Sequence, residues 1–342
     1  MADVARLASV SSQTVSRYFT GTGYVSADTR ERIAAAVEEL RYHPNYSART
    51  FRTQRTKTIG VLALGGLNYG SAGLLTGLSR SARAVGYALS INQLDVDFHG
   101  GEWRDEATAA LERFLSMPVD GVVLSTPILG ADDLFATLTS ATPHVTISER
   151  PPSDDVSVGT HSYTAGLVAT EHLASLGHRR IIHIAGPATR NESSERERGY
   201  RDAMVAIGEE PAVIRSAFDW SAASGHAAGM AVEELDFTAA FAANDEIALG
   251  FMSAMRQRGR SAPDDYSIVG VDDMPSAAYF APPLTTLRLD FDALGVSTFE
   301  MLHELIETGE RAEPYVMEPQ LVVRESTAPA PGAALPTAER PD

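Results

Sequence analysis

The positions of this 342-residue chain that could do chemistry fall in two places: one short polar helix, and two pairs of polar residues that follow apolar runs. On the predicted helix, Ser12, Gln13, Ser16 and Arg17 face outward. Glutamine can pair bidentately with adenine and arginine with guanine, and a serine can meet a base or a phosphate, so this face could read DNA. The second place comprises Asn244-Asp245 after AAFAAN and Asp272-Asp273 after YSIVGVDD. In doubly wound sheets ligands bind beyond the carboxyl ends of the strands, where these residues stand. Asp245 or Asp273 could instead cap the helix that follows. Catalytic patterns are missing. There is no cysteine, no GxSxG elbow and no HExxH among the nine histidines, and Lys57 is the only lysine available to a phosphate loop. GGLNYGSAG is glycine-rich without spelling GxGxxG. The expectation is a binding protein with no cofactor and no metal, and not an enzyme.

The elements that must position these residues follow from spacing. Val4, Leu7 and Ala8 form the apolar stripe of a first short helix. Ser11 caps a second, with Val15 and Phe19 inward; Ser26 caps a third, with Ile33, Val37 and Leu40 on one face, and that helix stops before Pro44. Three short helices around a small core make a helix-turn-helix module, whose second helix enters the major groove. Beyond Thr58 the pattern changes to TIGVLAL, ALSINQL, GVVLST, HVTISE, RIIHIAG, AAFAAN and YSIVGVDD, separated by helical stretches. This alternation predicts parallel sheets flanked by helices, with too many strands for one sheet and enough for two doubly wound lobes.

Charge divides the chain at the same place. Residues 1–58 hold nine basic and five acidic side chains, a balance of +4, so of the total of −17 the remainder carries −21. A basic head on an acidic body attracts DNA at one end and repels it elsewhere. No apolar run reaches about 18 residues and no secretory signal opens the chain, so a cytoplasmic protein with no membrane contact is expected.

The run DVARLASVSSQTVSRYFTGTGYVSADTRERIAAAVEELRYHPNYSAR resembles the DNA-binding head of the lactose repressor/galactose repressor family of bacterial transcription regulators. LASLGHRRIIHIAGP, DWSAASG, FAANDEIALGFM, YSIVGVDD and APPLTTLRLDF continue the likeness, DWSAASG being closest to the lactose-repressor branch. The resemblance implies an all-α head and an α/β body of two lobes of periplasmic-binding-protein type. It implies a repressor of a carbohydrate-utilisation operon, released by a small galactoside-like sugar. The alternatives are a regulator answering to another metabolite such as a purine, and an enzyme acting on a sugar.

Carried onto this chain, the resemblance makes Ser12, Gln13 and Arg17 the main base-contacting positions, with Ser16 beside them among the DNA-binding residues, and adds Asn45, Ala48 and Phe51 from the segment opening at Pro44-Asn45 that enters the minor groove as a hinge. Phe51 stands where the family usually has Leu as the wedge. It gives Glu149, Arg196, Trp220, Asn244, Asp272 and Phe291 as effector contacts, which suit a sugar: polar groups for paired hydroxyls and aromatic faces for C–H surfaces. Glu149 replaces an Asp of the lactose-repressor branch, and Leu289 a Gln. Taken alone, Arg196 in SSERERGY reads as part of a solvated charged helix. Ser9 replaces the glycine of the helix-turn-helix turn, and the family starts a few residues earlier, so either the true start lies upstream of Met1 or the first helix is poorly capped. His178 reads as structural. The implied domains are a head at 1–45, a hinge at 46–58, an N-terminal lobe at 59–158 and 291–318, a C-terminal lobe at 159–290 and 319–327, and a disordered tail at 328–342. That tail has no apolar heptads, and the expected assembly is a homodimer on double-stranded operator DNA.

Overall fold

Spacing of small and apolar residues decides the architecture. The computed structural model describes residues 1–21, 23–42, 55–96, 98, 100, 102–131, 142–149, 156–215, 218–232 and 236–332. Two units result, Met1–Thr56 and Lys57–Asp342. The first contains α1 (Ala2–Leu7), α2 (Ser12–Thr20) and α3 (Ala27–Glu39). Val4, Ala8, Val15 and Ile33 are buried between them, and Arg32 Nη1 donates to the Ala8 carbonyl at 2.8 Å, tying α3 to the end of α1. Leu7 and Leu40, expected in that core, are 44% and 43% exposed. Each lies in the last turn or at the end of its helix, where three short helices are too small a body to cover both faces.

The second unit holds two sheets. In the first, β1 (Thr58–Leu64), β2 (Ala88–Leu94), β3 (Gly121–Ser125), β4 (His144–Ile147), β5 (Ser157–Thr160) and β11 (Tyr315–Met317) run in the order β11-β5-β4-β3-β1-β2, all parallel. In the second, β6 (Ile181–Ile184), β7 (Ala212–Ile214), β8 (Ala239–Ala242), β9 (Ser267–Asp272), β10 (Thr285–Arg288) and β12 (Gln320–Val322) run in the order β12-β10-β9-β8-β6-β7, with β12 antiparallel. Strand for strand the two orders are the same, so the sheets are two copies of one doubly wound lobe. The chain passes between them after β5, after β10 and between β11 and β12. Period-two alternation sends Ile59 and Val61 to one face of β1 and Leu62 and Leu64 to the other, and both faces are covered by helices.

Helix α5 (Trp103–Leu115) lies on β1 and β2, and the other helices on the sheets pack in pairs: α4 (Tyr69–Ala84) with α10 (Phe291–Thr308), α6 (Ser162–Ser175) with α7 (Asn191–Ala206), and α8 (Ala222–Ala231) with α9 (Asp245–Gln257). Each pair crosses backbone to backbone. A Cβ added at Gly166 would lie 2.0 Å from the Arg196 carbonyl oxygen, and one at Gly199 2.0 Å from that of Tyr163, so glycine alone permits this approach. The tail expected to be disordered from Ala328 is fixed at its start: the Ala328 carbonyl accepts from the Ser267 hydroxyl at 3.1 Å, and Ala330 N donates to the Leu176 carbonyl at 2.8 Å. The composition of the tail could not show that sheet-end groups were waiting to bind it.

Candidate functional site

In the head, the Ser11 side chain accepts from Thr14 N at 3.1 Å, so the polar turn of α2 begins where its sequence indicates. Ser12, Gln13 and Arg17 are exposed and Ser16 is half-buried, all on the helix whose Val15 is buried. Ser9 takes φ 55°, the left-handed geometry of the turn, and α1 starts without a side-chain cap. The hinge positions Asn45, Ala48 and Phe51 lie outside the described residues.

In the body, Glu149, Arg196, Trp220, Asn244, Asp272 and Phe291 all line one cavity of about 100 Å³ at the carboxyl ends of the strands. Glu149 follows β4, where Thr160 donates to its Oε1 and Ser162 N to its Oε2 at 3.2 Å. Asp272 ends β9 with φ 113°, and Asp273 has φ 52°. The reversal aims the two carboxylates differently: Asp273 holds Arg288 at 2.7 Å, while Asp272 faces the cavity. Neither Asp245 nor Asp273 caps a helix. Asn244 does so for α9, accepting from Ile247 N at 2.8 Å through Oδ1 and donating to the Trp220 carbonyl at 3.2 Å through Nδ2. Asp245 is fully buried and accepts from Thr286 at 2.5 Å and from Met274 N at 2.8 Å, a bracket for the loop that carries Asp272.

Arg196 is 4% exposed, so the solvated-helix reading fails. Its Nη1 donates to the Ala243 carbonyl at 2.5 Å, its Nη2 lies 3.6 Å from Asp272, and its guanidinium stands 5.4 Å from the centre of the Trp220 ring. DWSAASG is a turn that presents the indole. Asp219 Oδ1 accepts from Ser221 N at 3.0 Å and from the Ser224 hydroxyl at 2.7 Å, and Ser221 caps α8. The ring rests where a Cβ at Gly186 would come within 2.5 Å of it. Phe291 opens α10 and meets Tyr69 edge-on at 6.0 Å.

Burial pushes Glu149 and Asp272 up to about 7, against the opposing pull of the Glu149 hydrogen bonds and, at Asp272, of Arg196. Among the described residues, Arg196 Nε, Trp220 Nε1, Arg190 Nε and Glu192 Oε2 are buried without a hydrogen-bond partner. Such atoms are costly unless a ligand or water completes them, and here the four residues that carry them line one cavity. With Glu149 and Asp272 half-protonated near pH 7, these two and Glu192 about balance the guanidinium groups of Arg190 and Arg196, so the lining holds no cationic excess for an anionic ligand.

Sequence reasoning missed Asn68, Ser125, Arg190 and Glu192, which also line the cavity. The post-strand rule applied to TIGVLALGGLN and GVVLST would have found the first two. Nothing local marks Arg190 and Glu192, which arrive from the loop and first turn before and within α7. Leu289 is 3% exposed, packs in the core and does not border the cavity. His178 is buried and hydrogen-bonded to Thr238 and Ser267 at 3.0 Å each, a fastener within the second lobe. No described helix is long and apolar enough to cross a membrane.

Residues 1–45 match the model for bacterial regulatory proteins of the lacI family, and residues 170–327 the periplasmic binding protein-like domain. The HTH-type transcriptional repressor PurR of Vibrio campbellii (strain ATCC BAA-1116) is 32% identical over 330 residues, covering 94% of this chain and 96% of that protein. The lac repressor dimer bound to operator and the anti-inducer ONPF is 27% identical with a TM-score of 0.84, covering 95% of this chain and 98% of that one. The complex of the transcriptional regulator CelR with cellobiose is 30% identical with a TM-score of 0.66 over the same shares.

Proposed function

Because this chain belongs to the lacI family of bacterial regulatory proteins and is a DNA-binding transcriptional repressor, we propose that it is a cytoplasmic homodimer released from its operator by a small, uncharged sugar. The observation that carries the sugar is the interlobe cavity: carboxylates Glu149 and Asp272, the Asn244 amide and the Arg196 guanidinium converge with Trp220 and Phe291, and buried donors there lack partners. Carboxylate and amide oxygens accept from hydroxyls, the guanidinium donates to them, and the rings cover the C–H face of a pyranose. The sugar carried by the CelR relative agrees with this chemistry.

Ser12, Gln13 and Arg17 read the operator in this proposal, Ser16 belongs to the same DNA-binding face, and Asn45, Ala48 and Phe51 bind at the minor groove. Residues 1–45 form the head, 46–58 the hinge, 59–158 with 291–318 one lobe and 159–290 with 319–327 the other. Sugar and operator oppose each other through lobe geometry. A ligand shifts this equilibrium only by its different affinity for the two forms, so the sugar binds the free repressor more tightly than the operator complex. Calorimetry with a saccharide panel, with and without operator DNA, tests this. Adenine and guanine belong in the panel, since a planar base also stacks on indole and phenyl rings. Heat from a purine with none from any saccharide rejects the sugar and leaves the repressor.

A further inference from the structure

We propose that the turn at residues 126–130, after β3, and the turn at residues 187–191, leading into α7, form a clasp between the lobes that parts to let the effector in and out; only the effector role of the cavity rests on the reading above. Three hydrogen bonds make the clasp. Leu129 N donates to the Thr189 carbonyl and Asn191 N to the Pro127 carbonyl, each at 2.9 Å, pairing Ile128 with Arg190 as an antiparallel bridge. Asn191 Nδ2 adds a longer bond to the Thr126 carbonyl at 3.4 Å.

Each half of the clasp is built into its own lobe. Ile128 packs with Trp103 and Leu111, and Arg104 from α5 donates to the Gly130 carbonyl. Each turn also closes on itself: Ala131 N donates to the Ile128 carbonyl, and Arg190 N to the Pro187 carbonyl, both at 3.1 Å. The turns therefore keep their shape when the bonds between them break. The covalent crossings after β5, after β10 and between β11 and β12 are separate segments, so the lobes stay joined while the clasp parts.

Position gives the clasp its role. Pro127 and Arg190 line the effector cavity, while Ile128, Thr189 and Arg190 line a second cavity of about 500 Å³. The clasp is thus a wall common to two cavities, and parting it breaches the wall of the inner one. The polar groups a ligand must reach there, on Arg196, Asn244 and Asp272, are buried. The closed clasp is also incompletely satisfied: among the described residues, Thr126 Oγ1 and Arg190 Nε are buried without a hydrogen-bond partner. Water reaching such groups when the turns separate offsets part of the loss of three bonds that are each of modest net worth. Opening is then a local event that leaves both sheets intact.

The test uses the full chain, which has no cysteine, so Leu129→Cys combined with Thr189→Cys gives one defined crosslink. These two residues already share a backbone hydrogen bond across the bridge, within reach of a disulfide. In the parent and the reduced variant, hydrogen exchange read by NMR should show the Leu129-position and Asn191 amides exchanging together, at least tenfold faster than amides of β3 and β6. Oxidation should slow the pair at least tenfold. Asn191→Ala should speed exchange of the Leu129 amide about threefold to tenfold, as one hydrogen bond is lost. Stopped-flow fluorescence of Trp220 with glucose, galactose, cellobiose, lactose, adenine and guanine reads passage. For whichever compound binds, oxidation should slow association and dissociation by the same factor of at least ten and leave the equilibrium affinity unchanged. Clasp amides that exchange only with the sheets, or an oxidised protein that takes up and releases ligand as fast as the reduced one, would overturn the clasp. If none of the six compounds binds, the effector reading falls, and amide exchange alone decides whether the clasp opens.

Discussion

Replacing Gly199 with alanine tests the claim that backbone contact between helices sets the effector pocket. The added Cβ would lie 2.0 Å from the Tyr163 carbonyl oxygen and 2.8 Å from Leu167 N, both on α6. Ordinary contact begins at 3.4 Å, so the helices must separate by about 1.4 Å. Arg196 is three residues away on the same helix and moves with it, while Ala243 and Asp272 belong to the sheet side of the lobe. Its hydrogen bond to the Ala243 carbonyl, 2.5 Å long, then stretches beyond hydrogen-bonding range. Overpacking of this kind costs roughly 1–3 kcal/mol of stability. Effector affinity should fall in addition, whereas operator binding should persist at temperatures where the variant is folded, because the head is a separate unit. Chemical denaturation and calorimetry with the best saccharide read the two effects. Gly100→Ala is the control: nothing lies within 4 Å of its Cβ, and the change should stay within about 0.5 kcal/mol. A Gly199→Ala protein as stable as the parent, with unchanged sugar affinity, refutes the argument.

Gln13→Ala should alter base preference at one or two positions per half-site and cost roughly 1–3 kcal/mol in each, checked by footprinting and selection from random sites; identical preferences would remove Gln13 from the readers. Asp272→Asn and Trp220→Ala should lose effector affinity yet hold operator, giving a repressor that no sugar releases, and normal release in a reporter assay would count against the pocket. Asp272 also predicts a pH signature. Its folded pKa of about 7 exceeds the roughly 4 of an unfolded carboxyl, so the native state keeps a proton that the unfolded state gives up. The stability this provides is complete below about pH 4 and is lost as pH rises to about 7, at up to roughly 1.4 kcal/mol per unit. Unfolding curves for parent and Asp272→Asn taken from pH 4 to 8 should therefore diverge over that range, and parallel curves would sink the assignment.

What the sequence determined by itself is whatever depends on neighbours along the chain. The caps Ser11 and Ser26, the strands TIGVLAL and ALSINQL with their bounds, and the charge division at residue 58 are all local. Short strands such as Ser157–Thr160 and Tyr315–Met317 were not legible, because three or four residues carry too little periodicity and are ordered by the sheet they join. The pocket was half legible. A polar residue directly after a strand announces its position, which marked Asn244 and Asp272, and the family resemblance supplied Glu149, Arg196, Trp220 and Phe291. Only the tertiary structure decided that Arg196 is buried, since SSERERGY has the composition of a wet helix and is covered by a neighbour that glycines admit to backbone contact. It alone divided the work among Asn244, Asp245, Asp272 and Asp273 into a cap, a bracket, a pocket carboxylate and a clamp on Arg288. Four similar side chains at strand ends differ only in what faces them across the fold. Distance along the chain holds no record of that.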